Sequence, residues 1–298
     1  MLTLVAIVVD GLVYSSWLFI VALGLTLIFG VMRILNVAHG GLYSVGAYTA
    51  AWMIGVYFER GFPALLSYVV LLLAAILVGL VLGLLIERGL LRFFYDRDEV
   101  IIVLVTYAVF LILEDLTRLV WGTSPYFAYQ PYAQLGNTQA GELNFSNYDL
   151  SLIGLALVTG GVLWWSLNRT RWGMLLRVVI HDRELAQAMG IHVARVFTLT
   201  FVIGAILGAL GGAFTAPMIS VSSGIGVQVI VLAFAVVVIG GMGSIPGAIL
   251  GALIVGLSRS AAVHLLPQLE LFVIYGVMSL VLTFRPQGLF VRAAARKI

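Results

Sequence analysis

The sequence predicts an all-α membrane protein, a polytopic bundle of about eight to ten transmembrane helices forming a single domain over 1–298. Three observations carry this expectation. The chain is 62% hydrophobic and only 10% charged, with a mean hydropathy of +1.13. Its apolar residues come in repeated runs of about 20, the length that crosses a hydrocarbon core as a helix. Glycine is abundant, at 33 residues, as in helices that approach one another closely inside a membrane. The alternating ten-residue segments of a membrane barrel are absent from the sequence.

Nine runs are expected to be spans: 4–30, 36–57, 63–86, 100–120, 150–167, 196–216, 226–243, 246–264 and 268–284. The first lacks a basic leader and a small-residue cleavage site, so it is expected to be retained. If the nine alternate across the bilayer, one side collects Arg33, Arg88, Arg92, Arg97, Arg169, Arg171, Arg177, Arg183, Arg195, Arg285, Arg292, Arg296 and Lys297. These are 13 of the 16 basic residues. The opposite side has Arg60 in a loop, and Arg118 and Arg259 fall within spans. Basic residues mark the cytoplasmic side, which places the C-terminus and the loop 168–195 in the cytoplasm and the N-terminus outside. The longest outer loop, 122–149, has no Lys or Arg and carries Glu142, Asp149 and six aromatic residues. It reads either as an interfacial aromatic belt capping the bundle or as a docking surface for an external soluble partner.

Charge is concentrated in one unusual stretch, RVVIHDRELAQAMGIHVARV at 177–196. Asp182 suits an N-cap, since its carboxylate can accept free backbone N–H groups. Glu184 follows in the first turn, where the helix dipole favours negative charge. Gly190 suits the position just past the C-cap. The helix between, Arg183 to Met189, is about two turns long and cannot hold itself together alone in water. Leu185 and Met189 share one face. Such a helix either rests on lipid headgroups or fits as a knob into a groove on a cytoplasmic partner.

RILNVAHGG at 33–41 interrupts two apolar runs with Asn36, His39 and the pair Gly40–Gly41. One reading is a tight cytoplasmic turn. The other is a broken helix whose freed backbone lines a solute path, because irregular backbone at membrane depth is tolerated only there or within protein. Glu114, Asp115 and Arg118 close the fourth span at spacings that permit Glu114–Arg118 and Asp115–Arg118 pairs. They read as a structural pair or as part of an outer gate. Arg259 has no acid four residues away, so it is expected to face an aqueous cavity.

Glycines repeat every fourth residue at 204, 208 and 212, at 247 and 251, and at 79 and 83, a helix-packing pattern. The Gly-rich bend at 240–252 lacks the Gly-Lys-Ser/Thr ending of a phosphate-binding loop, and the single lysine is Lys297. With no cysteine, thiolate chemistry and disulfides are excluded. His39, His181, His192 and His264 are not at metal-ligand spacing, and no basic–aromatic face points to nucleic acid. A secondary transporter or channel would carry acids near the midplane, and a membrane enzyme would carry converging carboxylates or metal ligands. Neither pattern is visible.

Several segments carry a family resemblance: ALGLTLIFGVMRILNVAHGGLYSVGAY (22–48), ILEDLTRLVWG (112–122), the 177–196 stretch, and GGMGSIPGAILGALIVGL (240–257). In this order they resemble permeases of branched-chain amino-acid-type ABC importers, the LivH/LivM group, and are closer to LivH. The resemblance implies a bacterial inner-membrane subunit with no cofactor of its own. It implies two cytoplasmic ATPase subunits that bind ATP and Mg, a second permease that is a LivM-like paralogue, and an extracytoplasmic binding protein that delivers a small-molecule substrate. It makes the short helix a coupling helix, with Arg183, Glu184, Leu185, Ala186, Met189 and Gly190 as its contact and Leu185 and Met189 filling the groove. Asn36, His39, Gly40 and Gly41 become the candidate translocation path. Position 41 is Gly where the family often has Asp or Glu, and Val37 stands where Phe is common. That departure widens the expected substrate from branched-chain amino acids to amide or carboxylate solutes.

Overall fold

The computed structural model describes residues 1–141 and 143–290. Glu142, Arg292, Arg296 and Lys297 therefore lie outside the described residues. All nine expected spans fall on helices. In chain order these are α1 (Leu2–Met32), α2 (Ala38–Glu59), α3 (Ser67–Gly89), α4 (Glu99–Trp121), α6 (Asn147–Arg169), α9 (Val193–Thr215), α10 (Ile225–Gly240), α11 (Ile245–Leu265) and α12 (Glu270–Phe284). Three short helices sit in loops: α5 (Gln130–Gln134), α7 (Arg171–His181) and α8 (Arg183–Ala188). Among the described residues, six helical segments are long and apolar enough to cross a membrane. The α2 helix is 22 residues long but more polar, while α10 and α12 have 16 and 15 residues. At 1.5 Å per residue the last two reach only about 24 Å, short of a core of about 30 Å.

The centre of the bundle is α1 against α9. Both are apolar on every side, as fully enclosed helices are. Their close crossing depends on glycine: a Cβ at Gly204 would meet Ile28 at 2.6 Å, and one at Gly211 would meet Val21 at 2.2 Å. The α3 helix lies on the other side of α9 through Gly79 and Gly83, and α11 runs against α1 and α10 through Gly247, Gly251 and Gly256. The sequence repeats of glycine are thus the helix-packing seams. In contrast α6 is the least enclosed long helix, with only 17% of its spanning window buried.

The 122–149 loop holds local structure of its own. Alongside α5 it forms a hairpin of β1 (Asn137–Ala140) and β2 (Leu143–Ser146), antiparallel, with Asn137 opposite Ser146. Tyr126 pairs with Val221 in an isolated bridge that ties this loop to the segment between α9 and α10. The Gly-rich bend joins α10 to α11, where Ser244 caps α11 by accepting from the Gly247 N–H at 3.2 Å.

Candidate functional site

The short α8 helix is built by local rules. Asp182 Oδ1 accepts from the Leu185 N–H at 2.9 Å, the N-cap bond its residue type favours. The far end closes with two bonds, Gly190 N–H to Gln187 O at 2.9 Å and Ile191 N–H to Ala186 O at 3.0 Å. That pair is a Schellman closure, which requires the left-handed φ of +79° found at Gly190. Six residues make a peg roughly 9 Å long.

The peg has an inner and an outer face. Ala186 is fully buried against the bundle, so it seats the peg and is not available as a contact for another molecule. Arg183 also contacts the bundle. Its guanidinium lies 3.7 Å from Asp96 and 5.2 Å above the Phe197 ring. Tyr95 packs edge-on against the same ring and donates its hydroxyl hydrogen to the buried Glu87. Burial, then the Glu87 hydrogen bond and charge, holds the Tyr95 hydroxyl well above the usual tyrosine range, so it remains a donor. Arg183 thus ties the peg to the bundle while its side chain stays 41% exposed. Glu184, Leu185, Met189 and Gly190 remain exposed, and Leu185 and Met189 present their apolar side chains outward at 52% and 66% exposure. Immediately before the peg, α7 is capped by Thr170, whose hydroxyl accepts from the Gly173 N–H at 3.3 Å. The 168–195 loop therefore holds a second helix, α7, ahead of the peg.

The break after α1 is an irregular segment that alternates in burial, with Arg33 and Leu35 exposed and Ile34 and Asn36 buried. Arg33 ends α1 at φ +56°, and its N–H bonds to Phe29 O at 2.9 Å. The chain then turns back into the bundle. His39 Nε2 donates to the carbonyl of Val21 at 2.9 Å, while a Cβ at Gly24 or Gly208 would touch its ring at 2.8 Å. Val21 stands eleven residues before Met32, so His39 sits roughly 16 Å from the end of α1. The exposed backbone of the break is satisfied from α4. Thr106 Oγ1 accepts from the Val37 N–H at 3.2 Å and lies 3.0 Å from Val103 O and 3.3 Å from Leu35 O. Replacing Thr106 by the isosteric Val should leave that N–H unpaired, at a cost of about 1–3 kcal/mol. A lower unfolding temperature of the purified complex checks it.

Gly40 abuts the carbonyl of Gly226 in α10, and Gly41 abuts Leu113 in α4. Asn36, His39, Gly40 and Gly41 are all buried. A Cβ at position 41 would meet Leu113 at 2.8 Å, so this position packs α2 on α4. Its lack of a carboxylate therefore says nothing about contact with an amino-acid ammonium.

At the other end of α4, Glu114 does not pair with Arg118. Its Oε2 accepts from the Gly224 N–H at 3.0 Å, so a carboxylate from α4 caps the first turn of α10, where the dipole favours negative charge. Arg118 bonds Ser223 Oγ at 2.6 Å and Asp115 at 3.4 Å, the second being the i, i+3 pair read from the sequence. Arg259 finds its acid on another helix, Glu270 of α12, and lies over the Tyr14 ring. That partner was out of reach of any local spacing.

Two cavities line the loose face of α6 against α1 and α11. One, of about 270 Å³, includes Ser15, Ser16, Phe19 and Gly160. The second, of about 290 Å³, lies nearer the peg and includes Gly30, Asn168, Arg177 and Ser244. The contributing residues of α1 recur at helical spacing, so both open along one side of it.

A bundle of membrane-length helices, with a capped peg projecting from its arginine-rich end, defines a multi-pass membrane protein of the permease type. Residues 7–282 match the family model described as branched-chain amino acid transport system / permease component, and the chain belongs to that family. The high-affinity branched-chain amino acid transport system permease protein BraD of Pseudomonas aeruginosa is 29% identical, over 97% of this chain and 96% of its own. LivH of Salmonella typhimurium is 26% identical over the same shares. LivM of that organism is 27% identical over 91% of this chain but only 67% of its own length, so the chain is closer to BraD and LivH. Among solved structures, PsaBC from Streptococcus pneumoniae in complex with Fab is similar in fold, with a TM-score of 0.50 at 12% identity, covering 93% of this chain and 91% of that one.

Proposed function

We propose that this chain is the permease subunit of an ATP-driven ABC importer for branched-chain amino acids in the bacterial inner membrane. Its N-terminus lies outside and its described C-terminal end lies in the cytoplasm. It pairs with a LivM-like permease, rests on two ATPase subunits that hold ATP and Mg, and receives substrate from an extracytoplasmic binding protein. The chain itself catalyses no reaction. The observation that supports this reading is the peg: a capped helix tied to the bundle by Ala186 and Arg183, with Leu185 and Met189 left exposed on the arginine-rich side. Exposed apolar side chains on a rigid knob fit a groove on a separate subunit, and the sequence has no phosphate-binding loop of its own.

The tight packing around Asn36, His39, Gly40 and Gly41 favours a role for them as the hinge and wall of the path. Its lining is better assigned to the groove between α1, α6 and α11. The groove has small and hydroxyl-bearing residues and, apart from α7 at its peg end, is lined by no further helix among the described residues, which suits completion by the second permease. Purification of the tagged chain from membranes tests the assembly. The expected result is recovery of ATPase subunits and a second permease, with leucine uptake into proteoliposomes when ATP and the binding protein are supplied. Recovery of the chain alone, with uptake driven by an ion gradient, would instead identify a secondary transporter.

A further inference from the structure

At the end of the bundle opposite the peg, α1 and α11 enclose a cavity of about 250 Å³. Asp10 is the one charged residue of α1, and Arg259 is the one Lys, Arg, Asp or Glu of α11. Both open into this cavity. His264 lies 2.8 Å from Asp10 Oδ2. Arg259 pairs with Glu270 of α12 and stands 4.1 Å above the Tyr14 ring. The rest of the wall is mostly apolar, from Val13, Trp17, Met218 and Val263, with Ser260, whose hydroxyl donates to Ile7 O at 2.9 Å.

We propose that this cavity is a recognition station for zwitterions with an apolar side chain, an α-amino acid, at the outer mouth of the permease. The proposal rests on the importer reading above and names residues that contact its substrate. Lone charges in otherwise apolar helices are retained for function by default. Here the charges of two helices converge on one space, and the two signs match the two ends of an amino acid. The existing pairs are part-exposed, with side-chain exposures of 29% to 50%. Pairs open to water are weak, so an incoming ligand can exchange them. Its ammonium takes Asp10 and its carboxylate takes Arg259, whose forked guanidinium suits a carboxylate. The apolar wall receives the side chain. A ligand with one charge disturbs one pair without matching the other. The competing account is a brace that holds α1, α11 and α12 together.

The test uses the assembled transporter in lipid nanodiscs without the binding protein. Binding of labelled L-leucine is measured against 4-methylpentanoate, which lacks the amine, and isoamylamine, which lacks the carboxylate. Leucine should bind and both analogues should compete poorly. Asp10→Asn and Arg259→Gln should each weaken leucine binding about tenfold or more, the scale of a lost charge-assisted hydrogen bond. Arg259→Lys should retain part of it. A second readout covers variants that fail to assemble. A single cysteine placed at Met218 should be shielded from maleimide by leucine and not by isoamylamine. Unchanged leucine binding in both charge variants, equal competition by all three compounds, or no shielding at position 218 would overturn the station. If the unsubstituted transporter binds no leucine yet imports it, the station alone falls. If it imports none, the importer reading falls first.

Discussion

Met189→Asp is expected to abolish ATP hydrolysis coupled to transport while the protein still inserts and folds. The side chain is 66% exposed, so the substitution removes little packing within the chain. On docking, however, a carboxylate would enter an apolar groove without a partner. Burying an unpaired polar or charged group costs several kcal/mol, enough to lower the docked population by about a thousandfold at 1.4 kcal/mol per decade. Gly190→Pro should have the same outcome by another route. Proline fixes φ near −65°, whereas Gly190 stands at +79°, and it lacks the N–H that bonds Gln187 O. The Schellman closure would open and the peg would lose its shape. Substrate-stimulated ATPase activity in proteoliposomes checks both, with surface expression as the control for insertion. Unchanged stimulation in Met189→Asp would remove the docking role.

The second large effect is expected at a helix seam. A Cβ at Gly212 would lie 2.0 Å from the carbonyl oxygen of Tyr43. That residue is fully buried, and its hydroxyl hydrogen-bonds Thr215 Oγ1 at 2.5 Å. Neither backbone can yield locally, so Gly212→Val should push α9 off α2 and cost more than about 3 kcal/mol, beyond the usual range for overpacking. Loss of monodisperse protein on size exclusion is the expected readout. Gly55→Ala in α2 is the matched control. Nothing lies within 4 Å of its Cβ, and a helical Gly→Ala change without a clash is neutral or stabilising by up to about 1 kcal/mol.

What could be read from the sequence was local. Apolar runs placed nine helices because the membrane imposes length and composition on each run separately. Asp182 and Gly190 bounded the peg because capping depends on residues within a turn of the helix end. The glycine repeats marked seams for a similar reason: residues four apart lie on one face whatever they meet. What escaped was set by partners distant in sequence. Thr106 is one hydroxyl in an apolar span, and nothing nearby shows that it satisfies Val37 on a different helix. Glu114 had an arginine at pairing distance, yet it caps α10 some 110 positions away. Arg259 had no local acid and found Glu270. The burial of Ala186 was not legible because two turns of helix do not reveal which side the bundle occupies. The break at 33–41 allowed two readings, and its depth is fixed by His39 reaching Val21.

The central claim is that the peg meets a nucleotide-hydrolysing subunit on the cytoplasmic side. The absence of cysteine from the sequence makes a direct measurement possible. A single cysteine at Met189, carrying a thiol-reactive photo-crosslinker, is illuminated in membranes containing the whole transporter, with a cysteine at the exposed Phe127 of the outer loop as the comparison. The expected result is an adduct between position 189 and the ATPase subunit, no such adduct from position 127, and labelling by a membrane-impermeant maleimide from outside at position 127 alone. Labelling of position 189 from outside, or adducts from it to lipid with none to the ATPase, would contradict the account.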